Sequence, residues 1–162
     1  MTRILITGSR EFNDRLLMEQ AIATILDLLE TEEATIVHGG ARGADRIAGR
    51  IAQDYSALIE EVHPADWDTH GKQAGLIRNC AMIKPGADVC LAFPVGDFGA
   101  KATTSRGTYH CANRAQQQGI VTFVIADSAM EALGNSAQKL YWDWFPDVSR
   151  EDRALITLEL KP

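Results

Sequence analysis

Ile36-Val37-His38-Gly39-Gly40-Ala41-Arg42-Gly43-Ala44-Asp45 is the stretch that decides the fold. A short apolar run ends in two glycines. An arginine, a third glycine and a helical pattern follow. This is a strand, a tight loop and the first turn of a helix. Such a junction exposes backbone N–H groups beside the positive end of a helix dipole, which suits a phosphate.

The same rhythm extends in both directions. Arg3 to Thr7 reads as a buried parallel strand closed by Gly8. Asn13 or Asp14 can cap the helix carrying Leu17, Ala21, Ile25 and Leu28 on one face. After Thr35 to His38, the stripe Ala44, Ile47, Ala48, Ile51, Ala52 and Tyr55 predicts a second amphipathic helix. Ala57 to Val62 reads as a third strand, and His63 to Asp68 as a loop. A third helix from Lys72 should bury Ala74, Ile77 and Ala81, ending at Pro85-Gly86. Asp88 to Phe93 is the fourth strand, Gly107 to Gln118 the fourth helix and Ile120 to Ile125 the fifth strand. Between them, Pro94 to Ser105 is long and weakly patterned.

Five alternations predict an α/β fold: a single Rossmann-like domain with a mostly parallel sheet of about five to seven strands, flanked by helices on both faces. The core should span residues 1–126. Residues 127–162 form a C-terminal extension, packed on the core or at a dimer interface. It carries Trp142, Trp144 and Phe145, and a possible strand over Leu155 to Leu160.

The 162 residues are 46% apolar and 23% charged, ordinary for a globular chain. No run approaches a membrane span, and no signal peptide is expected. Cys80, Cys90 and Cys111 lack CxxC spacing, which fits a reduced, cytoplasmic compartment. Net charge is −6, which argues against a broad nucleic-acid-binding face. His63, Asp66, Asp68 and His70 match no closed zinc pattern, so neither metal nor cofactor is expected.

Ligands of such sheets bind beyond the carboxyl ends of the strands. Three arginines, Arg10, Arg42 and Arg106, follow strands at that edge, and Arg78 stands on the third helix. Arginine's planar fork suits phosphate. Each could equally be solvated or paired with Glu11, Asp45 or Asp66; their gathering beside glycine loops favours an anionic ligand. Gly39-Gly40-x-x-Gly43 is not the full dinucleotide fingerprint. Glu60 and Glu61 stand where a ribose-binding carboxylate would be sought, but Gly8-Ser9-Arg10 lacks the matching glycines.

Motifs along residues 3–126 resemble the SLOG superfamily, the Rossmann-like group that includes DprA and LOG proteins. They look most like its YspA-like branch, found in bacteria and phages. The matching pieces are Ile4 to Phe12, His38 to Asp45, His63 to Trp67, Gly75 to Asn79, Ala92-Phe93-Pro94 and Arg106-Gly107-Thr108. LOG enzymes cleave the N-glycosidic bond of a nucleoside monophosphate, using a helix arginine and a PGGxGTxxE loop. Arg78 falls on that arginine and Gly107-Thr108 on the GT. Cys111 stands where the catalytic glutamate would be, and an insertion separates Pro94 from Arg106. Such hydrolysis needs a carboxylate.

The resemblance and the residues together imply a binding protein for a nucleotide or nucleotide-derived signal, acting as sensor or sequestering protein. Backbone groups of Gly39, Gly40, Ala41, Arg42 and Gly43, and of Arg106, Gly107 and Thr108, would hold phosphate. Gly8, Ser9, Arg10, Asp45, Arg78, Asn79 and Pro94 would line the site. Phe12 or Trp67 would stack on a base. The alternative is a nucleotide phosphoribohydrolase, with Arg78 and with Asp45 or Glu11 replacing the missing glutamate. A DprA-like DNA-binding role is disfavoured by the charge. A homodimer is expected, with no membrane partner.

Overall fold

The computed structural model describes residues 1–95 and 105–125. The C-terminal extension and most of the segment after Pro94 lie outside the described residues.

Five strands form one parallel sheet in the order β3-β2-β1-β4-β5. They are β1 (Thr2–Gly8), β2 (Ala34–His38), β3 (Leu58–Val62), β4 (Val89–Phe93) and β5 (Val121–Val124). Ile4, Leu5 and Ile6 are fully buried because β1 is central, pairing Ile4 with Ile36 on one side and Val89 on the other. Truncating any of them to alanine should cost about 2–5 kcal/mol.

The chain steps outward from β1 to β2 to β3, then crosses back to β4. Right-handed crossovers put the helices of the outward leg on one face and those of the return leg on the other. The outward leg carries α1 (Arg15–Leu28) and α2 (Ala44–Asp54). The return leg carries a short α3 (Trp67–His70), a 3₁₀ turn over Gly71–Gln73, and α4 (Ala74–Ile83); α5 (Arg106–Gln117) joins β4 to β5. Leu5, Val37 and Cys90 face the return-leg helices, where they meet Met82, Ile83, Cys111 and Ala115. This arrangement makes the chain a Rossmann-like α/β domain. The strand order reverses between β1 and β4, so a crevice opens there at the carboxyl ends.

Local details differ from the sequence reading in three places. Asp66 caps α3 by accepting the Thr69 N–H at 3.0 Å, so Trp67 starts a helix where a loop was expected. In α4 the inward face is Ala74, Asn79, Met82 and Ile83; Ile77 is 42% exposed and Ala81 lies outside. That helix turns Arg78 and Asn79 inward toward the crevice. Tyr55, at the end of the α2 stripe, is half exposed because the helix stops at Asp54. At α1 it is Asp14 that caps, accepting the Leu17 N–H at 2.9 Å.

Candidate functional site

The loop after β2 holds an anion of its own. Asp45, on the first turn of α2, folds back so that Oδ2 accepts the N–H of Gly39 at 3.1 Å and of Ala41 at 3.2 Å. The N–H of Gly40 donates to Nδ1 of His38 at 3.1 Å. That assigns the proton to the other ring nitrogen, which meets Glu60 Oε1 at 2.9 Å. Glu60 is tied in turn to Gln53 at 2.8 Å. Of the N–H groups from Gly39 to Gly43 that were expected to hold phosphate, three therefore already have partners within the chain, two of them on Asp45.

Close approach explains the glycines. Gly43 has φ +79°, and a Cβ on it would meet the Ser9 carbonyl oxygen at 2.3 Å. Ala44 N–H donates to that same carbonyl at 3.1 Å. The loop after β1 and the start of α2 are thereby locked together. Gly39 makes room for a side chain: a Cβ there would lie 1.3 Å from Nη1 of Arg78.

Arg78 is 13% exposed and reaches within 3.5 Å of Asp45 Oδ2. Its Nη1 has no hydrogen-bond partner among the described residues, so the pairing is one of charge. Its Nε donates to Asn79 Oδ1 at 3.0 Å, and Asn79 Nδ2 donates to the Gly107 carbonyl at 3.3 Å. A chain of contacts thus runs from the glycine loop through α4 to the first turn of α5. Burial pushes the Asp45 carboxyl above its ordinary value; the Arg78 charge and the loop N–H bonds only partly offset this.

These elements surround a cleft of about 470 Å³ at the carboxyl ends of β1 and β4. Gly8, Ser9, Arg10 and Glu11 line it from the β1 loop, and Ala41, Arg42 and Asp45 from the β2 loop. Arg78 and Asn79 come from α4, and Arg106, Gly107 and Thr108 from α5. Among the described residues, the N–H groups of Arg106, Gly107 and Thr108 make no hydrogen bond, as expected of an open helix N-terminus. A Cβ on Gly107 would meet nothing within 4 Å among the described residues.

The remaining sequence candidates do not line the cleft. Phe12 is 4% exposed and packs on Phe93, with ring centroids 5.1 Å apart, so no face is left for a base. Pro94 is buried, and Gly39, Gly40 and Gly43 shape the loop from behind. Trp67 is half exposed and lies beside Arg10, whose Cζ is 6.0 Å from its ring. Sequence reasoning missed Thr7, Lys72, Gly75, Leu76 and Met82 as lining residues. Lys72 had a signal: it precedes Arg78 by six residues and opens the same helical segment.

The side chains that line the cleft are rich in cations: Arg10, Arg42, Lys72, Arg78 and Arg106. Cys111 is fully buried against the Thr7 side chain, and burial pushes its thiol up to about 12. It is a core residue, with neither the access nor the ionisation of a nucleophile. Glu11 is exposed and paired with Arg42 at 2.6 Å. Glu60 is held by Gln53 and His38, and Glu61 by Arg3 and His63. Neither is placed as a free ribose acceptor. Among the described residues, no helix is long and apolar enough to cross a membrane.

Fold and site define a Rossmann-like α/β protein with an arginine-lined cleft at the point where strand order reverses. Residues 2–70 match the model of the YspA, cpYpsA-related SLOG family. The chain is also 46% identical, over 131 residues, to the Gene 61 protein of Mycobacterium phage D29. That match spans 78% of this chain and 98% of the phage protein. The chain belongs to the YspA, cpYpsA-related SLOG family.

Proposed function

We propose that the protein binds a nucleotide or nucleotide-derived signalling ligand in the β1–β4 cleft and senses or sequesters it. The observation that carries this reading is convergence. Arg10, Arg78 and Arg106 reach one cleft from three separate elements, beside the open N-terminus of α5. Guanidinium groups and free helix N–H groups recognise phosphate together. The cleft volume falls in the range of small-molecule sites. Family membership supports the same reading. In this account the phosphate sits on Arg106, Gly107 and Thr108, Arg78 and Arg10 flank it, and Trp67 is the stacking surface at the rim. Calorimetry against nucleoside mono-, di- and triphosphates, cyclic dinucleotides and ADP-ribose derivatives tests it. A folded protein that binds none of them overturns it.

A second reading, N-glycosidic hydrolysis of a nucleotide, has one observation in its favour: Asp45 is a carboxyl with a raised pKa at the cleft wall. Chromatography of nucleoside monophosphates after incubation tests it. Free base released by the wild type and not by Arg78→Ala supports hydrolysis; intact substrate overturns it. The protein as a homodimer belongs to this proposal too, and light scattering on the eluting peak reads it.

A further inference from the structure

A second concavity, of about 710 Å³, lies beside the cleft at the N-terminal ends of α1 and α2. Among the described residues, five arginines line it, Arg10, Arg15, Arg42, Arg46 and Arg50, against a single carboxylate, Glu11. The chain as a whole carries net charge −6. Cations on this protein are therefore gathered here against the general trend. Arg15 is engaged, by Glu19 and Asp54, both at 2.7 Å. Arg46 and Arg50 are exposed, and neither forms an ion pair among the described residues. They stand one turn apart on α2, about 6 Å along its axis. Arg42 continues the row toward the cleft, and Arg10, Glu11 and Arg42 line both concavities. The two are one continuous surface with a shared wall.

Resting on the nucleotide reading of the cleft, we propose that the groove is a second phosphate subsite and that the ligand is a phosphodiester-linked dinucleotide. Its first nucleotide occupies the cleft, and its next phosphate crosses Arg42 to meet Arg46 and Arg50. Arg42 is free to turn to it, because its pair with Glu11 is an exposed one worth little. A long nucleic-acid strand fits less well. Among the described residues, no exposed aromatic ring lines the groove for successive bases to stack on, since Phe12 is buried. The net charge also opposes a polyanion.

The test is calorimetry of the full chain with AMP, GMP, the 5′-phosphorylated dinucleotides pApA and pGpG, and a twenty-nucleotide single strand. The wild type should bind at least one dinucleotide about tenfold or more tightly than its mononucleotide, the scale of one charge-assisted hydrogen bond. Arg46→Gln/Arg50→Gln should remove that advantage and leave the mononucleotide affinity unchanged. Both positions are exposed, so the variant should keep the wild-type circular dichroism and melting profile. Mononucleotide binding with no gain for the dinucleotide overturns the groove proposal and leaves the cleft reading standing. A gain that survives the double substitution also overturns it. Tighter binding of the long strand than of either dinucleotide overturns it in favour of a nucleic-acid track. No binding of any of these probes overturns the groove proposal; the cleft reading falls only if the wider panel of nucleotides, cyclic dinucleotides and ADP-ribose derivatives also fails to bind.

Discussion

The guanidinium of Arg78 lies over Gly39 so closely that the smallest side chain there would come within 1.3 Å of Nη1. A glycine of the β2 loop and an arginine of α4 thus define one another's positions. Gly39→Ala should push Arg78 out of its seat, because the clashing atoms belong to the far end of a side chain. The fold should lose only about 1 kcal/mol. Nucleotide affinity should fall at least as far as in Arg78→Ala. Melting curves and calorimetry on both variants check this; unaltered affinity in Gly39→Ala would contradict it.

Asp45 supplies one oxygen to two backbone donors and one negative charge to Arg78. Asp45→Asn keeps an acceptor oxygen and removes the charge. Because the carboxyl has a raised pKa, its contribution to stability is greatest below the ordinary value of 3.8 and is lost as pH rises through the folded value. At pH 7 the asparagine variant should therefore be within about 1 kcal/mol of wild type, and a phosphate ligand should bind it at least as tightly. Asp45→Ala leaves two N–H groups and a buried cation without a partner, and should lose about 3 kcal/mol. Chemical denaturation of the pair separates the two effects.

At the first turn of α5, Gly107 has no described residue within 4 Å of where a Cβ would stand. Gly107→Ala should leave stability unchanged or raise it by about 0.5 kcal/mol, since alanine favours helix. Gly107→Leu should fold equally well and lose about tenfold or more in nucleotide affinity, the scale of one hydrogen bond. Full affinity in the leucine variant would place the phosphate elsewhere.

The strand and helix order was readable because the central strands are short apolar runs and α1 and α2 carry periodic stripes. Ile4-Leu5-Ile6 and Val89 to Phe93 are buried on both faces and need no subtler signal. The face of α4 was not readable: Ile77 looks like core and Asn79 like surface, yet tertiary position reverses them. The β2 loop was legible as a glycine turn, but not as a turn already filled. Asp45 follows Gly39 by six residues, and only the chain's reversal into α2 brings its oxygen back. Phe12 shows the same limit, since an aromatic beside a ligand loop looks the same in sequence whether it faces a ligand or, as here, packs on Phe93. The basic groove escaped notice because Arg46 and Arg50 read as the solvated side of an amphipathic helix.

Glu61 is held by Arg3, chiefly through side-chain hydrogen bonds, and then by His63, which together lower its carboxyl from the ordinary 4.5 to about 2. A depressed carboxylate contributes stability above its unfolded pKa and loses it as pH falls through the folded one. Glu61→Gln should therefore melt lower than wild type at pH 7, and the gap should close between about pH 4.5 and pH 2. A gap independent of pH would assign the effect to packing instead.

Cys90 and Cys111 are fully buried and Cys80 is half-buried. Thiol titration of the native protein at pH 8 should modify Cys80 alone, with the other two reacting only in denaturant. Rapid modification of Cys111 would contradict its burial.

Asp45 also bears on how a ligand would be met. A loop that must wait for its anion is pliable until the anion arrives, and ordering it slows association and weakens the complex. Here the anion is built into the chain, so the β2 loop has its shape in advance, like the rim of a mould already set. Under the proposed reading, recognition would then fall on Arg10, Arg42 and Arg106, which line the cleft, while the glycines behind them stay still. Homologues that exchange ligands should differ at those arginines and keep the aspartate.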